Sequence, residues 1–241
     1  MSEQQMADAF SELVRSRRSV RDFLPDEIPP AVLSRVLDDA KWSPSWTNTQ
    51  PYALAIATGE KLERIRREYC RLYDEGMALK RAGLAGKVRT LLTGRGRPDG
   101  DYNTLVPYPD ELLPARRATG YGLYQLLGIA REDRAARDAQ MRKNFEFFGA
   151  PAAIFVLVHG ELFPWAIQDG GILMQTIMLS ARANGLGTCA QGAIATWASP
   201  VRREFEYPEN YRLACGIAIG YPSNDAINGY NPGRQDLKVW R

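Results

Sequence analysis

IQDGGILMQTIMLSARANGLGTC, residues 167–189, is the run whose reading decides the fold. Isoleucine, leucine and methionine recur at helical spacing from Ile167 to Asn184 and occupy more than one face of the wheel. The segment therefore predicts a central helix buried on most sides. Gly170 and Gly171 sit in its first turn. Gly185 suits the helix C-cap, and Gly187 permits a second contortion or a close approach to a ligand before the chain runs extended through Thr188 and Cys189. A helix with so little polar surface would leave a large apolar patch on a monomer, so a homodimer is expected.

Outward from this helix the pattern mixes strands and helices. YALAIAT (52–58), APAAIFVLVHG (150–160) and YRLACGIAIGYP (211–222) read as strands. Helical spacing covers 4–16, with Met6, Ala9, Phe10, Leu13 and Val14, and a second helix starts at Pro29 or Pro30. Further helices are expected over 60–77, 115–129 and 132–148, with a short one in SPVRREFEYP. Few and unevenly spaced strands favour an α+β fold over a doubly wound sheet. One domain over 1–241 is expected. Residues 83–114, with five glycines and four prolines, read as a mobile or substrate-facing excursion from it.

Composition removes several functions. The 241 residues carry a net charge of +3 and no long basic block, which argues against nucleic acid. No apolar run approaches the roughly 18 residues a membrane span needs, and the polar N-terminus is not a signal peptide. Cysteines 70, 189 and 215 form no CxxC pair, so a reducing, cytoplasmic setting is expected. The lone histidine, His159, argues against zinc and leaves Cys189 without a recognisable base. GxSxG, GxGxxG and GxxxxGK[ST] are all absent. What remains is a chain with polar, aromatic and arginine-rich loops and no acid–base machinery, as expected where a bound cofactor performs the chemistry.

Two loops stand out. SRRSVR (16–21) offers the guanidinium forks of Arg17, Arg18 and Arg21 around Ser19. By residue type these fit either a phosphate or a solvated basic turn paired with Asp22 and Asp26. SPSWTNTQP (43–51) carries far more hydrogen-bonding chemistry than a turn requires.

RSRRSVRDF (15–23), WSPSWTNTQPY (42–52), IQDGGILMQTIMLSARANGLGTC (167–189), IAIGYP (217–222) and NPGR (231–234), in this order, resemble the flavin-dependent nitroreductase family. The resemblance implies an FMN-containing homodimer with a mostly antiparallel sheet and a C-terminal extension reaching the partner. It also implies two active sites at the interface. It places Arg17, Arg18, Ser19 and Arg234 on the phosphate and ribityl end, and Arg21 at the flavin's pyrimidine edge. Pro44, Ser45, Trp46, Asn48 and Gln50 would cover the flavin from the other subunit, with Trp46 either facing substrate or packing the dimer. Gly187 and Thr188 would lie against the flavin, with Gln168, Asp169 and Gly170 as alternative contacts. Tyr102, Asn103, Tyr108 and Phe145 are candidate substrate-lining residues. No catalytic side chain and no metal is implied.

The same resemblance implies hydride transfer from NAD(P)H to small planar acceptors, nitroaromatics or quinones, in a ping-pong cycle that takes nitro to hydroxylamine. Other reductive flavoenzymes of the superfamily (a flavin reductase, an ene-type reductase, a dehalogenase) are the alternative, as is a flavin-binding protein with little turnover.

Overall fold

Alternation along four short strands divides the apolar residues between the two faces of one sheet. The computed structural model describes residues 1–240. Strands β1 (Tyr52–Thr58), β2 (Ala152–His159), β3 (Gly187–Gln191) and β4 (Tyr211–Gly220) lie in the order β1-β2-β4-β3, with every pairing antiparallel. Successive strand residues point to opposite faces. Ala153, Phe155 and Leu157 therefore join one core with Ala55, Ala57 and Ala218, while Ile154 and Val156 join the other with Ile217 and Ile219. The central strand β2 is buried on both faces, which accounts for its unbroken apolar run.

Helices α2 (Pro30–Ala40) and α7 (Trp165–Ala183) cover the isoleucine-rich face. On the other face lie α3 (Gly59–Arg81) and α8 (Ser199–Glu204), over an aromatic cluster that includes Tyr69, Phe147 and Trp197. The mixed helix and sheet layers are the α+β architecture that the spacing predicts. Gly170 lets α7 lie directly on the sheet: a Cβ there would sit 2.9 Å from Val158 Cγ1.

Three expectations change. First, α7 is not enclosed by its own chain. Leu173, Ile177 and Ala181 belong to a single buried stripe, whereas Gln168, Ile172, Gln175 and Leu179 line an open groove shared with Phe10 and Leu13 of α1 (Glu3–Ser16).

Second, the stretch 83–114 is largely anchored. Helix α4 (Gly83–Thr93) folds back on α3, with Gly86 so close that a Cβ would lie 1.8 Å from the Leu79 carbonyl oxygen. Beyond it, Asp99 accepts the Ala198 N–H at 2.8 Å, and Gly100 donates its N–H to Thr196 at 3.0 Å. Asp101 accepts from the Leu213 N–H at 2.7 Å and from Arg202 Nη2 at 2.8 Å. The partners stand about a hundred residues away in sequence, which is why composition alone suggests a loose segment.

Third, the helix expected to reach Phe148 stops early. After α5 (Leu113–Leu126), α6 (Arg134–Arg142) ends, and the backbone at Phe147 and Phe148 takes φ of 52° and 54°, turning these rings into the core.

Candidate functional site

The arginine turn begins where α1 ends. Arg17 leaves the helix in an extended conformation, and Ser19 and Val20 then lie along the edge strand β3. Ser19 bridges Thr188 in parallel, and the Val20 N–H donates to the Thr188 carbonyl at 2.9 Å. Gly187 makes this apposition feasible, since a Cβ would stand 2.5 Å from Val20 Cγ2. Asn228 pins the far side: its Oδ1 accepts the Arg21 N–H at 2.8 Å and its Nδ2 donates to the Asp22 carbonyl at 2.7 Å.

Thus held, Arg17, Arg18, Ser19 and Arg21 face a cavity of about 330 Å³ that Arg234 enters from the other end of the chain. Thr119 of α5 and Tyr230 close another wall, joined by a 2.8 Å hydrogen bond from the Tyr230 hydroxyl to the Thr119 carbonyl. Among the described residues no carboxylate lines the cavity. Among the described residues neither Asp22 nor Asp26 forms an ion pair with these arginines, so the solvated-turn reading loses its motive. Burial first, and then the like charge of Arg234, pulls the Arg17 guanidinium below its ordinary value. Converging guanidiniums without a counter-charge suit a phosphate dianion. A smaller cavity of about 260 Å³ lies beside Arg17 and Arg18, with Arg182, Gly187 and Thr188 in its walls.

Further along β3 the chemistry changes. Burial pushes the Cys189 thiol up to about 11, against the opposing pull of Arg21, so it is a neutral thiol at neutral pH rather than a nucleophile. Gln191 is buried, donating Nε2 to the Asn144 carbonyl at 2.6 Å. Ala190 is exposed, and a Cβ on Gly192 would meet nothing within 4 Å, so the backbone is open to approach there.

The polar loop lies elsewhere. It forms a 3-10 turn at Trp46–Asn48, with positive φ at Thr47 (47°), Asn48 (55°) and Gln50 (49°). Such conformations cost on the order of 1–3 kcal/mol each and need external support. Ser45 Oγ accepts the Gln50 N–H at 2.9 Å, and the buried Asp169 carboxylate accepts the Trp46 N–H at 3.1 and 3.2 Å. The Trp46 indole lies against Trp165, ring centroids 4.3 Å apart at 41°. Asp169 is near the start of α7 and Arg182 near its end. Helical rise separates them by about 20 Å, so one chain does not bring the loop and the arginine cavity together.

The remaining candidates scatter. Gln168 lines the groove beside α1. Asp169 accepts the Trp46 N–H, and Gly170 lies at the contact between α7 and the sheet. Phe145 is buried between Tyr73 and Trp197, because the chain turns inward after α6. Tyr102 is partly buried 6.5 Å from Phe163, Asn103 accepts the Leu105 N–H at 2.9 Å, and Tyr108 is exposed beneath Arg116. Sequence reading missed Asn228, Thr119, Tyr230 and Trp165. Of these only Trp165, an aromatic at the start of α7, carried a visible signal.

The sequence profile of the nitroreductase family matches residues 14–221. A 4-nitrobenzoate reductase of Pseudomonas putida is 30% identical, over 92% of this chain and 88% of that protein. A 4-nitrobenzoate reductase of a Nocardioides species (strain LMS-CY) is 33% identical, over 89% and 81%. The crystal structure of an FMN and NADPH-dependent nitroreductase, NfnB from Sphigopyxis sp. strain HMH, superposes with a TM-score of 0.81 at 29% identity. That match covers 96% of this chain and 98% of the other.

Proposed function

This chain belongs to the nitroreductase family, and from that premise we propose that it is an FMN-dependent, NAD(P)H-oxidising reductase of nitroaromatic or quinone acceptors. The observation that carries the reading is the convergence of Arg17, Arg18, Arg21 and Arg234 on one cavity that, among the described residues, no carboxylate lines. The donor set fits a flavin phosphate. The chemistry FMN supplies when bound is hydride acceptance from NAD(P)H and hydride donation to the acceptor, in alternation.

The chain's own residues hold and screen. Arg17, Arg18 and Arg234 bind the phosphate, with Ser19 beside them, while Arg21 stabilises negative charge on the ring system. Gly187 and Thr188 lie in the adjoining cavity beside Arg17 and Arg18, and the chain is open to approach at Ala190 and Gly192. Protons come from water, since no acidic side chain lines the cavity.

The second loop comes from a partner copy. Within one chain the Trp46 loop sits at the opposite end of α7 from the arginines. Two copies of α7 packed antiparallel across a two-fold axis would put the start of one beside the end of the other, giving two complete sites. Pro44, Ser45, Trp46, Asn48 and Gln50 would then cover the neighbouring flavin. Trp46 and Trp165 would form an aromatic wall for flat acceptors. The apolar groove of α7 and α1 would be covered in the process.

A visible spectrum of the purified protein tests the cofactor, and anaerobic bleaching by NADH and by NADPH tests turnover. Arg17→Ala is expected to leave a folded apoprotein whose FMN affinity falls about tenfold to a hundredfold. Equal affinity of mutant and wild type would sink the phosphate assignment.

A further inference from the structure

Helix α4 is apolar on the side that its own chain leaves bare. Leu84, Val88, Leu91 and Leu92 fall within an arc of about 100° and run for about 12 Å along the helix axis. Gly86 stands on the opposite side and makes the close contact with α3, so the apolar arc faces outward. Leu84, Leu91 and Leu92 are 78%, 85% and 79% exposed.

Cations frame the stripe. Residues 79–98, LKRAGLAGKVRTLLTGRGRP, hold six cations and no acid. Arg81 and Arg95 are paired within the chain, with Asp138 and Glu75. Among the described residues Lys80, Lys87, Arg89 and Arg97 pair with no carboxylate. Lys87 and Arg89 lie about 40° and 60° beyond the two edges of the apolar arc, one on each flank. Lys80 precedes the helix and Arg97 follows it.

From this arrangement we infer that α4 is a docking surface for an anionic lipid bilayer and lies in the plane of that surface. One helix meets both requirements of such a contact. Its leucines enter the acyl boundary, while long basic side chains on both flanks reach back to the phosphate headgroups. No acid in the segment opposes the negative surface potential. No helix among the described residues is long and apolar enough to cross a membrane, and the short α4 suits a helix that rests on one. A second copy of the chain fits less well, because the apolar groove of α7 and α1 is already covered in the α7 pairing proposed above. The inference does not depend on the flavin reading.

Vesicle sedimentation tests it. Wild-type protein is spun with vesicles of phosphatidylcholine alone, and with vesicles of phosphatidylcholine and phosphatidylglycerol in equal parts. Binding is expected to the anionic vesicles only, and it should weaken as salt screens the surface charge. Lys87→Glu with Arg89→Glu and, separately, Leu91→Ser with Leu92→Ser should each lower the partition coefficient at least about tenfold. All four side chains are exposed, so the loss should come at an unchanged melting point. Leu91→Cys carrying a polarity-sensitive dye reads the same contact in the intact fold, because Cys70, Cys189 and Cys215 are buried. Its emission should shift to the blue on anionic vesicles alone. Wild-type protein that leaves both kinds of vesicle unbound would overturn the proposal, as would binding that survives the charge reversal. Binding that the serine variant keeps, with no dye shift, would reduce the contact to adsorption of charge and overturn the docking of the stripe. A wild type that ignores lipid, with a serine variant whose dimer dissociates, would assign the stripe to a second copy instead.

Discussion

Both carboxylate oxygens of Asp169 accept the backbone N–H of Trp46, at 3.2 and 3.1 Å. One buried side chain at the start of α7 thereby holds a loop that carries three non-glycine residues at positive φ. The contact connects a strained local conformation to the most central helix of the fold.

Asp169→Ala should release that loop. The Trp46 amide loses its acceptor, at a cost of about 1–3 kcal/mol. Thermal unfolding should shift downward, and tryptophan fluorescence should change because the Trp46–Trp165 contact depends on the same anchor. An unchanged melting point with an unchanged spectrum would show that other bonds hold the loop.

The tryptophan pair separates folding from specificity. Trp46→Ala and Trp165→Ala each remove a ring contact worth about 0.5–1.5 kcal/mol beyond its buried area. Both indoles are about half exposed, so large stability losses are not expected. Changed kcat/KM ratios among flat acceptors, with dimerisation intact, would support an aromatic wall. A weakened dimer with an unchanged acceptor ranking would assign Trp46 to the interface instead.

Asp101 anchors the segment between α4 and α5. Its side chain is 7% exposed, and it accepts from Arg202, Arg212 and the Leu213 N–H. Asp101→Ala leaves the Leu213 N–H without its acceptor and Arg202 with only the Tyr211 carbonyl, a loss of about 1–3 kcal/mol. Limited proteolysis within 94–109 should accelerate in this variant before the rest of the chain is cut. Cleavage at the wild-type rate would refute the anchor.

Alkaline stability should follow the thiols. Burial pushes Cys70, Cys189 and Cys215 each up to about 11. The unfolded chain ionises its cysteines near about pH 8.5, so above that value unfolding releases protons and is favoured. Stability contributed by the neutral thiols is complete below about pH 8.5 and declines towards pH 11. Chemical denaturation at a series of pH values checks the slope, and replacing the cysteines with alanine should flatten it.

Much of this protein is legible locally. Short, nearly continuous apolar runs mark β1, β2 and β4, helical spacing marks α1, α2 and α7, and the arginine run stands out as a cluster of guanidiniums, because each signal lies within a few consecutive residues. Tertiary structure decides what those segments meet. Asp99 and Asp101 find their partners about a hundred residues away, Asn228 braces a turn at the far end of the chain, and Phe145 enters the core where its local sequence suggested an opening. The Trp46 loop and the arginine turn each stand out in sequence, yet they lie toward opposite ends of α7, where Asp169 and Arg182 are about 20 Å apart along the helix. Residue type and spacing set what a segment can do; the order β1-β2-β4-β3 and the helices laid across it set which segments come within bonding distance.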